Sequence, residues 1–459
     1  MKNPLLVPEL REYLAENQTD LLADFCVTNH PAAVADLLSA LTPEETWRIL
    51  SLADPSVRAD IFANLDLEVQ VDLAEMLPRG VLAQLFSEMP PDDRVDLFKR
   101  MPEDRREAVM PAIAHAERED IRRLASYAEG TAGSVMTSEY AVLSPDITVS
   151  ESIHRLRREA PNKETVYYAY VVDENRRLLG FVSLKDLITA PANRIIRDMM
   201  HQDMIFARVD DDQEDAARKI QKYDLIALPV VNEHDALVGI VTHDDALDII
   251  TQEQQEDVEK LMAIAGSHES SAYLRTPAWI HFKNRAIWVV CLAILSLVSG
   301  MIIHRFEDTL MRLIILALYM PMLAATGGNT GSQSAAVVIR ALALREITPR
   351  DIFRVLFKEF QIAMFLALVL GVLAAGRVVF FSGKVDISPE FTLGKIGLAI
   401  GAALGIQVIT STLVGAILPL GAARLKMDPA IVASPALATI VDITGLLIYF
   451  NIANAILGI

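Results

Sequence analysis

Five long apolar segments, all in the second half of the chain, constrain its fold most strongly. They cover about residues 286–303, 313–325, 360–381, 396–420 and 431–456. Runs of this length and apolarity are typical of helices that cross a lipid bilayer. The second run is short, and we expect it to continue through a Gly-rich stretch to near Val338. The sequence therefore predicts a membrane domain with five spans.

The charges of the chain divide at nearly the same point. From Thr276 onward there are 14 Lys and Arg against 9 Asp and Glu, whereas the preceding residues have 28 against 51. The first half is thus a strongly acidic soluble module, and its sign disfavours nucleic acid as a partner. Two explanations stay open: the carboxylates keep the module soluble, or cations occupy part of its surface. Two distant cysteines, Cys26 and Cys291, suggest neither a disulfide framework nor a zinc site.

Basic residues in two loops predict the orientation of the chain. The link between the second and third spans contains Arg340, Arg345, Arg350, Arg354 and Lys358, and the link before the fifth contains Arg424 and Lys426. Loops rich in Lys and Arg are cytoplasmic under the positive-inside rule. The N-terminal sequence shows no signal peptide, so we expect the acidic half on the cytoplasmic side. An odd number of spans then places the C-terminus outside.

A period of twelve residues organises the first part of the acidic half. Its apolar members, each followed by a pair of residues suited to begin a helix, are Leu41, Ala53, Leu65, Leu77, Met89 and Met101. Pro, Asp or Thr at that place favours a helix start. Each period predicts one helix of eight or nine residues, and such units bury an apolar face only by stacking. Helix capping alone would explain the acidic residues at the turns.

A second repeat follows, with an offset of 59 residues. Residues 171–183 align without gaps on residues 230–242, and each copy predicts two strands and then a helix. The helices begin at Ser183 and Thr242, each with an Asp three residues later, as in a capping box. The repeat resembles a tandem pair of CBS domains, which are βαββα modules. In that family this element can hold a nucleotide ribose, so Ser183, Asp186 and Thr242 are ATP-binding candidates or helix caps alone.

An acidic helix is predicted after the second copy. Glu253, Glu256 and Asp257 share a face with Lys260 by spacings of three and four residues. Stacked carboxylates repel each other on an isolated helix, and a cation or a basic partner against them makes the arrangement favourable. A solvated charged face is the simpler explanation of the same pattern.

Two features of the membrane half are costly in lipid. Asp442 lies in the middle of the last apolar segment, where a carboxylate costs about 3 kcal/mol and commonly marks a function. A structural, hydrogen-bonded carboxyl is the alternative. The run GGNTGSQ at residues 327–333 predicts a helix break, which membranes tolerate only where the backbone is buried in protein or lines a watery path. Its carbonyls, Asn329 and Gln333 are oxygen donors.

A second carboxylate, Asp428, opens the predicted last span with Pro429 in the first turn, which capping alone would explain. On one continuous helix, Asp428 and Asp442 would face within about 40° of each other and lie about 21 Å apart along the axis. A lone Asp among oxygen donors suits hydrated Mg²⁺, which uses only one or two carboxylates. The sequence has no Cys/His cluster for a softer metal.

Together these motifs resemble the MgtE family of magnesium channels and transporters over nearly the whole chain. The most specific are GGNTGSQ and the segment from Asp428-Pro429-Ala430 through Pro435 to Asp442. The resemblance implies a multi-domain membrane protein with an acidic α-helical N-domain at 1–130, tandem CBS (α/β) domains at 131–195 and 196–250, a connecting plug helix at 251–282 and a five-helix transmembrane domain at 283–459. It also implies a homodimer in the cell (inner) membrane, with hydrated Mg²⁺ held in an axial pore by Asp442 of both subunits.

The resemblance further implies that the acidic half senses cytoplasmic Mg²⁺, which joins the domains and closes the pore. The matching carboxylates are Glu253, Glu256 and Asp257 on the plug, Asp212, Glu214, Asp224, Asp245 and Asp248 in the CBS domains, and Asp428 at the pore mouth. In the N-domain, Asp92, Asp93 and Asp96 compete for one position. The first CBS copy departs from the second by an insertion at residues 160–165.

Three other kinds of function compete with magnesium transport as explanations of the sequence. A membrane metalloprotease needs a zinc motif such as H-E-x-x-H, which this sequence lacks. An anion channel with CBS domains predicts more spans and no deep carboxylate. A transporter of divalent cations more broadly, including Co²⁺, or a proton-coupled carrier that uses Asp442, fits the sequence and is the alternative.

Overall fold

The computed structural model of the chain describes residues 6–262, 264, 276–382, 390–429 and 435–459. By its internal contacts the chain divides into two units, Met1–Glu253 and Gln254–Ile459. The first unit contains short helices followed by two small sheets with their helices. The second contains the long apolar helices.

Short helices make up the first part of the first unit, as the twelve-residue period predicts. They are α1 (Val7–Ala15), α2 (Thr19–Thr28), α3 (Pro31–Leu38), α4 (Pro43–Leu50), α5 (Pro55–Ala63), α6 (Leu67–Met76), α7 (Arg79–Glu88), α8 (Pro91–Arg100), α9 (Glu103–Val109) and α10 (His115–Ala125). Pro at the first position of α4, α5 and α8 is compatible with a helix start, because the N–H that it lacks has no partner within the helix. All six apolar residues of the period are buried, each at most 7% exposed.

Two copies of a βαββα module follow, as the 59-residue repeat predicts. The first copy consists of β1 (Tyr140–Leu143), α11 (Val149–Glu159), β2 (Thr165–Val172), β3 (Leu178–Ser183) and α12 (Leu184–Thr189). The second consists of β4 (Ala207–Arg208), α13 (Gln213–Tyr223), β5 (Ala227–Val231), β6 (Leu237–Thr242) and α14 (His243–Leu261). Each sheet pairs its first two strands in parallel and its last two antiparallel. The register repeats as well, since Val171 lies opposite Gly180 and Val230 opposite Gly239.

The core of the first unit runs from the short helices into the second module. Ala216 of α13, Leu228 of β5 and Val241 of β6 belong to the same buried cluster as the helical repeat. A smaller cluster lies between the two modules, where the Tyr140 hydroxyl donates to the carbonyl of Leu237 at 3.0 Å. The short helices and both modules therefore form one continuous folded body.

The second unit contains the long helices. They are α15 (Ala278–Arg305), α17 (Ile315–Ala343), α18 (Ile352–Phe381), α19 (Leu393–Arg424) and α20 (Pro435–Leu457), with the short α16 (Glu307–Arg312) after the first. Within the described ranges, α15, α18 with its preceding 3₁₀ turn, α19 and α20 are long and apolar enough to cross a membrane. Helix α19 packs against α17, α18 and α20. The membrane half is thus a bundle around α19.

The predicted helix break in the Gly-rich run is wrong, because α17 continues without interruption from Ile315 to Ala343. Gly331 of this run allows α17 to pack closely against α19. An added Cβ at Gly415 of α19 would overlap the carbonyl oxygen of Gly331, so the two backbones touch. With 29 residues α17 is about 43 Å long, enough to cross the apolar core of a bilayer, although it is less apolar than the other four. Five crossings therefore stay a prediction.

Two further predictions concern boundaries. The expected limit between the second module and the plug helix, at residues 250/251, falls inside α14, which is one helix from His243 to Leu261. The limits of the predicted domains stay predictions. The expected start of the last span near residue 431, and with it the shared helix face of Asp428 and Asp442, lies outside the described residues.

Candidate cation sites

The deep carboxylate predicted from the sequence, Asp442, lies on α20 and is half-buried. The residue before it, Val441, is fully buried, and Gly445 one turn later is also buried. Helix α20 packs against both α17 and α19, so this turn lies where three helices meet. The arrangement places a carboxylate at the edge of a packed interior rather than at the end of a helix.

Helix α17 separates its polar residues between two faces. Gly327, Thr330, Gly331 and Ser334 are buried, whereas Asn329 is exposed, as is Gln333. The buried hydroxyls connect α17 to its neighbours: Thr330 bonds Ser411 of α19 at 2.7 Å, and Ser334 donates to Glu359 of α18 at 2.9 Å. The two amides are therefore exposed, on a different face of α17 from its buried glycines and hydroxyl side chains.

The acidic end of α14 lies beside the predicted pore mouth. Lys260 Nζ is 2.7 Å from a carboxylate oxygen of Glu256 and 3.0 Å from Oδ2 of Asp428. Burial acts to lower the pKa of Lys260, but its hydrogen bonds to Glu256 and Asp428 outweigh burial and raise the pKa above its ordinary value. An ammonium group thus joins two carboxylates that the sequence assigned to cation binding. Asp257, the third plug carboxylate, is exposed.

The acids of α13 have local partners in this structure. Asp212 caps the helix by accepting from the Glu214 N–H at 2.8 Å, and Glu214 forms an ion pair with Arg218 at 2.5 Å. Asp224 ends the helix in a left-handed conformation and is exposed. Between the first two acids, Gln213 donates to Glu253 of α14 at 2.6 Å. The start of α13 therefore lies against α14 beside a plug carboxylate.

A cluster of carboxylates forms where α8 meets α14. Asp92 and Asp93 lie in the first turn of α8, and Asp245 in the first turn of α14. Burial raises the pKa of Asp93 to about 7, with further increases from Asp245 and other nearby acids. Burial also raises the pKa of Asp92 well above its ordinary value, again with Asp245 adding to it. Burial is the main cause of both shifts, and the nearby carboxylates add to it, so these acids lie close enough to repel each other when they are ionised.

The same cluster extends beyond those three residues. Burial, followed by the charges of Asp245 and Asp244, raises the pKa of Glu164 to about 7. Burial raises the pKa of Asp245, an effect that the hydrogen bond from Thr242 opposes and Asp248 strengthens. Oδ1 of Asp92 is buried and has no hydrogen-bond partner among the described residues. Of the three competing N-domain acids, Asp92 and Asp93 have their pKa raised by both Asp245 and Glu164, whereas Asp96 has its pKa raised by Asp245. The pKa of Asp96 is also raised, to about 6, chiefly by burial.

Two members of these sites were missed in the sequence. Glu164 lies in the insertion of the first module, between a 3₁₀ turn and β2, and only the unequal length of the two copies marks it. Lys260 was seen as one charge of the plug face, and nothing in the sequence indicates that it reaches Asp428. Both are tertiary contacts, which a single sequence does not show.

The capping box at Ser183 is present as predicted, and at the second element Thr242 is hydrogen-bonded to Asp245. Ser183 Oγ donates to Asp186 at 2.6 Å and accepts from the Asp186 N–H at 3.1 Å. Thr242 makes the corresponding bond to Asp245. Asp186 has a further partner in His201, whose Nε2 lies 3.0 Å away and whose ring stacks on Phe181. The Asp of each pair is therefore hydrogen-bonded to the Ser or Thr three residues before it, and Asp186 is also hydrogen-bonded to the imidazole of His201.

All the candidate ligands are oxygen donors, which fits a hard divalent cation. In the part of the chain that the structure describes, no three Asp, Glu, His or Cys side chains already converge on one point. The candidate sites are therefore recognised by neighbouring carboxylates with raised pKa values, and not by a set of ligands already arranged around one point.

Comparison with known proteins agrees with this organisation. The model of the MgtE divalent cation transporter family matches residues 320–452, that of the MgtE intracellular N domain matches residues 29–130, and that of the CBS domain matches residues 132–193 and 196–252. The magnesium transporter MgtE of Thermus thermophilus is 41% identical over 338 residues, which is 74% of this chain and 72% of that protein. The chain belongs to the MgtE family.

Other MgtE proteins support the same assignment. The magnesium transporter MgtE of Bacillus subtilis is 36% identical over 335 residues, 73% of this chain and 71% of that protein. A crystal structure of the soluble part of a magnesium transporter, 30% identical, covers 54% of this chain and 97% of its own, with a TM-score of 0.51. The cytosolic domain of the Mg²⁺ channel MgtE in complex with ATP, 36% identical, covers 53% and 100%, with a TM-score of 0.50.

Membership confirms the fold class: an N-domain, tandem CBS domains and a membrane domain with several apolar helices. Because MgtE proteins are transporters, the chain is a membrane transport protein and not an enzyme.

Proposed function

We propose that this protein is a Mg²⁺-selective channel or transporter that mediates magnesium uptake. The observation that carries the proposal is Asp442, a half-buried carboxylate within an apolar helix of a chain from a divalent cation transporter family. A carboxylate at that depth is retained against its insertion cost when it serves the transported ion. The magnesium transporters of the same family named above indicate which ion this is.

The ion path lies between two copies of the chain. On α17, the amides of Asn329 and Gln333 face away from the subunit's interior, where lipid would leave them without hydrogen-bond partners. A second copy at this face supplies a polar, hydrated lining instead. Asp442 of both subunits then attracts Mg²⁺ that keeps several of its waters. The homodimer is thus part of the proposed pore.

Cytoplasmic Mg²⁺ regulates this pore through the acidic half. The carboxylates around Asp92, Asp93 and Asp245 repel each other, as their raised pKa values indicate. Mg²⁺ neutralises them and favours the compact state. Glu253, Glu256 and Asp257 on the plug, Asp212, Glu214, Asp224 and Asp248 in the CBS domains, and Asp428 at the pore mouth take part in the same response. When the cytoplasmic Mg²⁺ concentration falls, repulsion between these carboxylates separates the cytoplasmic domains and the pore opens.

The protein resides in the cell (inner) membrane with its acidic half in the cytoplasm and its C-terminus outside. Exposed basic residues at the end of α17, in the link that follows and at the start of α18 support this orientation; they are Arg340, Arg345, Arg350 and Arg354.

ATP binds at the CBS domains. The support is the related cytosolic domain solved with ATP, together with the Ser183–Asp186 element and Thr242. Asp186 would accept from ribose hydroxyls in place of its present partner, His201.

Flux measurements in proteoliposomes test the central proposal. We expect the wild type to conduct Mg²⁺ better than Ca²⁺ or Co²⁺, without dependence on a pH gradient, and Asp442→Ala to abolish this flux. Asp308→Asn, which removes an exposed carboxylate on α16, is the matched control and should behave as the wild type. Undiminished flux in Asp442→Ala contradicts the proposal. Equal Co²⁺ flux, or flux that requires a proton gradient, would favour the broader or proton-coupled alternative.

Regulation has its own test. Neutralising Glu253, Glu256 and Asp257 together should weaken the inhibition of flux by cytoplasmic Mg²⁺. If the triple variant is inhibited at the same Mg²⁺ concentration as the wild type, the plug has no part in sensing.

A further inference from the structure

A fully buried amide joins α19 to the helix of the deep carboxylate. Gln407 of α19 has no exposed surface, and its Nε2 donates to the carbonyl oxygen of Val441 at 2.9 Å. Val441 immediately precedes Asp442 on α20. A carbonyl can only accept, so the amide nitrogen rather than Oε1 must face it, which fixes the orientation of the side chain.

Two glycines form the space that Gln407 occupies. A Cβ placed on Gly327 of α17 would lie 2.5 Å from Nε2 of Gln407, and a Cβ on Gly445 of α20 would lie at the same distance. The three atoms nearest to the added Cβ at Gly445 all belong to Gln407. Any side chain at these positions must therefore displace the amide, so the three helices are shaped around it.

The contact is more specific than packing requires. The Val441 carbonyl also accepts from the Thr444 hydroxyl at 3.2 Å, so it does not need Gln407 to be satisfied. Oε1 of Gln407 is buried without a hydrogen-bond partner among the described residues. An apolar side chain of the same volume would fill this space without leaving a buried polar atom unpaired. The amide thus carries a stability cost that core filling does not explain.

We propose that Gln407 is a positioning residue for cation selection: it holds the Val441 carbonyl and thereby sets the rotation of α20 and the place of the Asp442 carboxylate. The inference rests on the proposed role of Asp442 in the ion path. A hydrated ion is distinguished from others by small differences in ligand position, so a carboxylate that can rotate with its helix discriminates less. Gln407 does not need to touch the ion for this effect.

The first test replaces the amide with an apolar side chain of similar volume in the full-length protein. In proteoliposomes, Gln407→Leu should raise the half-saturating Mg²⁺ concentration and lower the preference for Mg²⁺ over Ca²⁺, each by about threefold to tenfold, the range for one lost hydrogen bond. Thr410→Val, which removes a hydroxyl that donates to the Ile406 carbonyl within α19, is the control and should change neither. A merely structural role would lower the amount of folded protein and its maximum flux without altering half-saturation or ion preference.

The second test uses Gly445, where an added Cβ has Gln407 as its nearest neighbour. Gly445→Ala should reproduce the loss of ion preference, and adding Gln407→Ala should remove the overlap, so that the double variant matches Gln407→Ala alone. Unchanged half-saturation and preference in Gln407→Leu would overturn the proposal, as would a Gly445→Ala defect of equal size in both backgrounds. Failure of the proposed function is recognised separately, because it appears as Mg²⁺ flux that persists in Asp442→Ala.

Discussion

Lys260 and Asp428 form an ion pair, with 3.0 Å between Nζ and Oδ2, that joins the end of the acidic helix to the segment before the last span. The same ammonium group lies 2.7 Å from Glu256. The Lys260 ammonium group is thus a basic partner for these carboxylates, one of the two possibilities, a cation or a basic partner, that the sequence left open for the acidic face. The contact holds the two segments together without a metal.

Lys260→Met should therefore loosen this contact at every Mg²⁺ concentration. A partly exposed ion pair contributes less than about 1 kcal/mol, so we expect the half-inhibiting cytoplasmic Mg²⁺ concentration to rise about twofold to fivefold. Flux into proteoliposomes over a series of internal Mg²⁺ concentrations measures the change. Lys222→Met, on the exposed surface of α13, is the control. Superimposable inhibition curves for Lys260→Met and the wild type would show that the pair has no role in closure.

The carboxylate cluster predicts how stability depends on pH in the absence of divalent ions. The pKa values of Asp93 and Glu164 are each raised to about 7 in the folded protein, above the value near 4 of unfolded carboxyls. Between these limits the folded state binds more protons than the unfolded state, so the free energy of unfolding falls as pH rises. With EDTA, a cytosolic fragment ending at Met262 should melt at a higher temperature at pH 5.5 than at pH 8. The combination of Asp93→Asn and Glu164→Gln should shrink that difference, and an unchanged difference would assign it to other groups.

Neutralising the N-domain acids should imitate bound Mg²⁺. In the combination of Asp92→Asn and Asp93→Asn, the carboxylates no longer repel Asp245, so the cytosolic fragment should be more stable without Mg²⁺ and gain less from its addition. The melting temperature measured without Mg²⁺, and then at Mg²⁺ concentrations that increase tenfold from one sample to the next, reports both effects. Asp60→Asn, an exposed acid on α5 of the same domain, should keep the full Mg²⁺ response. A double variant that is stabilised by Mg²⁺ as strongly as the wild type would remove these two residues from the sensor.

The close contact between α17 and α19 predicts a stability defect in the membrane domain. Gly415→Ala places a methyl group against the carbonyl of Gly331, and separating the helices should cost about 1–3 kcal/mol. The melting temperature of the detergent-solubilised protein is the measurement. Gly300→Ala on α15 has no neighbouring atom within 4 Å of the added methyl and should leave it unchanged. Equal melting temperatures for the two variants would mean that α17 and α19 do not touch at Gly331.

Local rules account for most of the cytosolic fold. The twelve-residue period marks a buried residue at each helix junction because the helices are too short to bury an apolar face elsewhere. Ser183 with Asp186, and Thr242 with Asp245, were recognisable because capping boxes depend only on residues three apart. These features need no knowledge of distant parts of the chain.

Other features depend on partners far away in sequence. The Gly-rich run predicts a helix break because three glycines weaken an isolated helix, whereas in the fold Gly331 meets Gly415 on another helix. The sequence does not separate the three N-domain acids, because the distant Glu164, which raises the pKa of Asp92 and Asp93, cannot be placed beside them from one sequence. Gln407 was overlooked because a single amide in an apolar run gives no indication of what it contacts. In each case the deciding residue lies tens to hundreds of positions away.

The hydroxyl contacts of α17 also bear on how the protein is made. Its buried Thr330 and Ser334 depend on Ser411 of α19 and Glu359 of α18, which the ribosome adds later. Of the five long helices, α17 is the one whose own apolarity does not meet the level expected of a span in the described residues. In a nascent chain that ends before α19, the Thr330 hydroxyl of α17 thus lacks its partner Ser411 when α17 meets the insertion machinery. We therefore expect integration of α17, whose crossing of the membrane stays a prediction, to be completed only after α19 has been synthesised.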